Sequence, residues 1–183
     1  SIAAYFGVGG NHRVEMLAYL RDTQLDDGGW NCRWDLGDRH SSLHTTLTVL
    51  EAIRDAGAGA PGPDADAAAR GCEFLLRKRL FRSSRTGEVI DARMLRLSFP
   101  PRWRYDILRA LDYLAAVRAP HDARMDDALA ALRSKRRASG RWPVQERHAG
   151  RVHLDMERTG GESRWNTLRA LRVLRAYDSG EGG

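Results

Sequence analysis

His44-Thr45-Thr46-Leu47-Thr48-Val49-Leu50-Glu51-Ala52-Ile53, Tyr105-Asp106-Ile107-Leu108-Arg109-Ala110-Leu111-Asp112-Tyr113-Leu114 and Trp165-Asn166-Thr167-Leu168-Arg169-Ala170-Leu171-Arg172-Val173-Leu174 read as three versions of one segment. Leu47, Leu108 and Leu168 align, as do Leu50, Leu111 and Leu171. The spacing within each segment is helical. The segments recur roughly 60 residues apart, and self-similarity at a fixed period marks stacked supersecondary units.

Another helical stretch precedes each segment. Val14, Leu17 and Leu20 keep the period in the first, Cys72, Leu75 and Leu76 in the second, and Leu129 and Leu132 in the third. Asp64 and Asp122 follow Pro63 and Pro120, where helix caps belong. The unit is therefore helix, glycine-containing turn, helix. Ile2-Ala3-Ala4-Tyr5-Phe6-Gly7 reads as the tail of an earlier second helix. The expectation is one all-α domain over 1–183, made of three antiparallel hairpins and a remnant, and a piece of a larger array.

The 183 residues suffice for a real core, and 42% hydrophobic with 30% charged residues suits a globular chain. No apolar run approaches the ~20 residues that span a bilayer, and the opening residues lack the zones of a signal peptide. Cys32 and Cys72 make no disulfide framework, which favours a reducing, cytoplasmic setting. The net charge is +6, and only Lys78 and Lys135 among the basic residues are lysine. An arginine-rich surface suits acidic or phosphorylated partners. No nucleic-acid recognition motif is present, and the arginines are interleaved with acids, so nucleic acid is not expected.

The turns carry a family resemblance. Tyr19-Leu20-Arg21-Asp22-Thr23-Gln24 followed by Asp27-Gly28-Gly29-Trp30 resembles the Gln-Trp repeat motif of squalene cyclases. Gly140-Arg141-Trp142 after Leu132-Arg133, and Gly87-Glu88-Val89 after Leu76-Arg77, are fainter copies. The chain thus resembles the later repeats of the prenyltransferase and squalene-cyclase family. That resemblance implies part of an α/α toroid, in which inner helices, here starting near Ser41, Pro101 and Ser163, surround an apolar cavity. It also implies an incomplete ring, finished by missing N-terminal hairpins or by a partner chain.

The family's cyclases protonate substrate with an Asp-x-Asp-Asp motif, which this chain lacks. His44-Thr45 resembles the His-Thr that carries the zinc histidine of protein prenyltransferases, but its companion ligands would lie one repeat earlier. No metal or cofactor is expected. The alternatives are zinc at Cys32, His40 and His44, or a divalent ion such as magnesium at His153, Asp155 and Glu157, near His148.

The aligned column at the start of each second helix reads His44, Tyr105, Trp165, and the next reads Thr45, Asp106, Asn166. Arg82, Arg85, Arg102, Arg104, Arg147, Arg151 and Arg164 fall at the same end of the repeat. An apolar well beneath a positive rim suits an isoprenyl diphosphate. The candidate catalytic groups are His44, Tyr105, Asp106, Asp155 and Glu157. The candidate ligand-binding groups are Arg82, Arg85, Arg102, Arg104, Arg164, Trp165 and Asn166. The expectation is an isoprenoid-handling protein acting by prenyl transfer or terpene cyclization; the alternative is a non-catalytic helical-repeat scaffold for a protein partner.

Overall fold

The computed structural model describes residues 6–7, 10–57, 61–147, 150 and 152–178 (the side chain of Asn11 excepted). Most of the opening segment, and His148 and Arg151, lie outside them. Among the described residues are six α-helices and one two-stranded sheet, so the chain is mostly helical. No helix among them is long and apolar enough to cross a membrane. The chain divides into two compact units, Ser1–Arg77 and Lys78–Gly183.

The first unit holds α1 (Gly10–Asp22), α2 (Leu43–Asp55) and α3 (Pro63–Arg77). Ser42 caps α2 by accepting from the Thr45 N–H. Leu43, Leu47, Leu50 and Ile53 then bury one face of that helix. α3 opens on Pro63 with Asp64 and Asp66 in its first turn, where a missing N–H costs nothing and negative charge favours the helix dipole. It packs on both α1 and α2. Gly71 makes the closest approach possible: a Cβ there would stand 2.8 Å from Trp30 and 2.9 Å from Leu50.

The second unit holds α4 (Ile107–Ala116), α5 (Asp126–Ser134) and α6 (Arg164–Asp178), with β1 (Trp142–Pro143) antiparallel to β2 (Glu162–Ser163). Trp142 pairs with Ser163, and Pro143 with Glu162. α4 packs against α5 and α6, and α6 against β1. Asp112 on α4 joins Arg169 and Arg172 of α6 at 3.1 and 2.7 Å.

The Gly-x-Trp turns of the two units make the same hydrogen bonds. Gly28 and Gly140 take φ of +89° and +83°, values a side chain resists. Trp30 and Trp142 are almost wholly buried. The indole N–H of Trp30 donates to Leu20 O at 2.6 Å, and that of Trp142 to Leu132 O at 2.7 Å. Each acceptor is one of the last carbonyls of its helix, which lack intrahelical partners. The backbone N–H of each Trp meets a threonine hydroxyl of the next helix, Thr46 at 2.9 Å and Thr167 at 3.0 Å.

The middle turn is built otherwise. Gly87 has positive φ and Arg82 bridges Val89, but Val89 is exposed and covers nothing. Instead the Tyr105 hydroxyl donates to Leu80 O, just beyond α3, at 2.5 Å. The second helix of this repeat also begins later than the segment alignment implies. Ser42, Asp106 and Ser163 are the true equivalents, each side chain accepting from the N–H three residues on. The middle repeat is therefore displaced by about one helical turn, and Leu108, not Tyr105, occupies the position of His44 and Trp165.

Candidate binding site

The second unit contains a cavity of about 180 Å³ lined by Phe99, Pro100, Arg102, Arg147, Val152, Leu154, Asp155, Met156 and Glu157. Two segments far apart in sequence form its walls. Residues 97–106 make the first. Leu97 O accepts from Gln145 N at 2.8 Å and from Glu146 N at 3.3 Å, and Gln145 Oε1 accepts from Leu97 N at 3.2 Å. Ser98 is fixed from the other side, its N–H and hydroxyl donating to Asp106 at 3.2 and 2.6 Å. Arg104 adds an ion pair with Glu146 at 2.5 Å.

Residues 152–157 make the second wall. Val152, Leu154 and Met156 are all exposed, Leu154 most of all at 76%. Glu157 anchors this segment: its carboxylate accepts from the Ser163 hydroxyl and, at 2.8 Å, from Arg164 N. A carboxylate there satisfies one of the orphan N–H groups that open α6 and meets the positive end of its dipole. Asp155 pairs with Arg147 across the cavity wall. Two guanidinium groups and two carboxylates therefore surround an apolar floor.

The floor continues outward. Phe99 stacks on Trp165, rings nearly parallel at 9° and centroids 5.6 Å apart. Trp165, Leu168 and Leu171 are 43%, 51% and 47% exposed, and their spacing puts them on one side of α6. This track runs ~9 Å along the helix. In the other repeats the matching leucines are buried, so Leu168 and Leu171 depart from the pattern of their repeat.

The structure brings Arg102, Asp155 and Glu157 together in the cavity, with Trp165 joined through Phe99 and Arg164 through Glu157. Other sequence candidates sit elsewhere. Tyr105 is buried, and burial together with the charge of neighbouring Asp106 holds its phenol well above the ordinary pKa. It is a hydrogen-bond donor in the core. Asp106 is 1% exposed and caps α4, accepting from Arg109 N at 2.8 Å. Asn166 is buried against β1, donating to Pro143 O at 3.1 Å.

Arg82 is tied to Asp127 at 2.7 Å and to Gly87 O at 3.0 Å, and Arg85 is exposed on the same loop; neither lines the cavity. His44 is half-buried on α2 in the first unit. Among the described residues no three His, Cys, Asp or Glu side chains gather as a metal site, so Cys32, His40 and His44 do not form one. The sequence reading missed Phe99, Pro100, Val152, Leu154 and Met156. For the last three a signal exists: Val152, Leu154 and Met156 alternate with His153, Asp155 and Glu157 and form the apolar half of that period.

No family model, curated protein or solved structure matches this chain.

Proposed function

We propose that the second unit binds an isoprenyl diphosphate or a closely similar amphiphile, and that the hairpins belong to an α/α toroid of the prenyltransferase and squalene-cyclase type. The observation that carries the reading is the continuity of a charged cavity with an exposed apolar track. Arg102 and Arg147 offer planar, charge-assisted donors to phosphate oxygens. Phe99, Trp165, Leu168 and Leu171 offer apolar surface to a chain. The cavity is smaller than the ~300–1,000 Å³ of a typical ligand pocket. It suits the head group and first isoprene carbons, with the remainder lying along α6. Each CH₂ removed from water there contributes ~0.8 kcal/mol.

The ligand would be the substrate of prenyl transfer or of a cyclization. Asp155 is the carboxylate of the cavity that pairs with Arg147, and Glu157 positions α6. Calorimetry with geranyl, farnesyl and geranylgeranyl diphosphates and their alcohols tests the reading. Affinity should rise with chain length, and Arg102→Ala with Arg147→Ala should weaken the diphosphates more than the alcohols. Leu168→Ser should weaken the longer chains most. Weak binding of all six compounds, indifferent to these substitutions, would favour the scaffold alternative.

A further inference from the structure

Among the described residues, four other than glycine take a left-handed backbone: Arg79, Leu80, Arg102 and Arg118, at φ of +44°, +65°, +49° and +55°. Three of them follow helices. Arg79 and Leu80 come just after α3, and Arg118 just after α4. The Arg118 N–H reaches Ala115 O at 3.1 Å, and the Ala119 N–H reaches Leu114 O at 2.9 Å. A left-handed residue there is a common way to satisfy the last carbonyls of a helix. Arg102 follows no helix, and it lines the cavity.

Arg102 is the first central residue of a turn from Pro101 to Arg104, closed by the Arg104 N–H donating to Pro101 O at 3.0 Å. Gly, Asn and Asp dominate turns with positive φ at that place, because a Cβ crowds the neighbouring carbonyl. The turn persists because both of its ends are fixed. Ahead of it, Ser98 is bonded to Asp106. Behind it, the Arg104 guanidinium pairs with Glu146 at 2.5 Å, and Arg104 O accepts from Arg109 Nη1 at 2.9 Å. The Tyr105 hydroxyl is held on Leu80 O. Such bonds sustain a strained residue, and strained residues gather at ligand sites. They account for the turn but not for the arginine, since glycine or asparagine would meet the same backbone demand with less strain. What arginine adds at 102 is a long cationic side chain at the cavity.

We propose that Arg102 is the specificity-determining residue of the cavity: it selects a ligand with an anionic head, and its left-handed backbone is retained for that selection at the expense of stability. The inference rests on the reading of the cavity as a diphosphate site and goes further, because it separates the two arginines. Arg147 carries no such mark. Its backbone is not left-handed, and its guanidinium pairs with Asp155, so an anion reaching it competes with a carboxylate.

The test reads stability and binding in the same variants. Urea titration of Arg102→Gly should give a midpoint roughly 0.3–0.5 M above wild type, because relief of the strain outweighs the added freedom of the unfolded chain. Calorimetry with inorganic pyrophosphate and with farnesyl diphosphate should show that variant binding both about tenfold more weakly or worse, the loss expected of a charge-assisted contact. Arg102→Asn, which also tolerates the left-handed backbone, should lose binding without losing stability. Arg118→Gly is the control: its midpoint should rise and its binding stay unchanged. Arg147→Ala should weaken pyrophosphate less than Arg102→Gly does. Lower midpoints for Arg102→Gly and Arg102→Asn would show that the arginine serves its loop and would overturn the proposal, as would a larger loss of binding from Arg147→Ala. Farnesyl diphosphate binding wild type and both Arg102 variants alike would overturn it while leaving the diphosphate reading in place. Failure of both ligands to bind wild type would sink that reading and the proposal with it.

Discussion

Removing the indole of Trp142 tests the packing logic of the turns. Trp142 is wholly buried, and truncating such a side chain to alanine costs ~3–5 kcal/mol through lost transfer energy and the cavity left behind. The hydrogen bond to Leu132 O is a smaller part. That carbonyl also receives Lys135 N at 3.2 Å, so losing the indole does not orphan it. The bond then contributes only its net ~0.5–1.5 kcal/mol, and the exposed Arg136 stacked on the ring adds ~0.5–1 kcal/mol. Trp142→Phe, which keeps one ring and loses the donor, should cost roughly 1–2 kcal/mol on this accounting. Urea titration followed by circular dichroism separates the two. Trp142→Ala should lower the midpoint by roughly 1–3 M, given the usual slopes. A loss below about 1 kcal/mol for Trp142→Ala, or equal losses for the two variants, would refute the view that the indole closes the helix end.

Two further outcomes follow from buried polar groups. Asp106→Ala strips the cap of α4 and leaves the Ser98 hydroxyl and two N–H groups without their acceptor, so it should cost at least ~2 kcal/mol in the same titration, more than an exposed cap would. Asp27 is partly desolvated, which raises its pKa, but bonds from the Ser41 hydroxyl and N–H, the Gly29 N–H and the charge of Arg77 outweigh this and lower it from 3.8. Its stabilisation is therefore fully present above about pH 4 and lost as pH falls through the depressed value; Asp27→Asn should flatten the acid limb of the stability curve, measured by urea midpoints at stepped pH.

The residues also explain which parts of the fold were legible. Gly28-Gly29-Trp30 and Gly140-Arg141-Trp142 announce their turns because positive φ admits glycine readily and a Trp after it has one helix end to cover. The leucines of the middle repeat carry less information. Ile107, Leu108, Leu111 and Leu114 keep a face in either of two registers one turn apart, because helical spacing repeats itself. What selects the register is the cap, and Asp106 competes for that role with nothing visible in a leucine count. The cavity was legible on one wall only. Its other wall, at Phe99 and Pro100, is brought up by backbone bonds between Leu97 and residues 145–146, a pairing of short extended pieces with no periodic signature.

Glu157 shows why such a site resists reading from sequence. As one of a period-two trio it looks like a metal ligand or an acid. In the fold its carboxylate is committed to Ser163 and Arg164, and so it sets where α6 begins. α6 in turn sets where Trp165 meets Phe99, which is the junction of the charged cavity with the apolar track. A cationic group entering the cavity would compete for Glu157 and loosen the start of that helix. The anionic head proposed above would meet Arg102 and, in competition with Asp155, Arg147, and would leave the cap in place. Glu157 therefore acts on the cavity through position, setting where α6 starts and so where Leu168 and Leu171 stand, with its charge already taken up by the Ser163 hydroxyl and the Arg164 N–H.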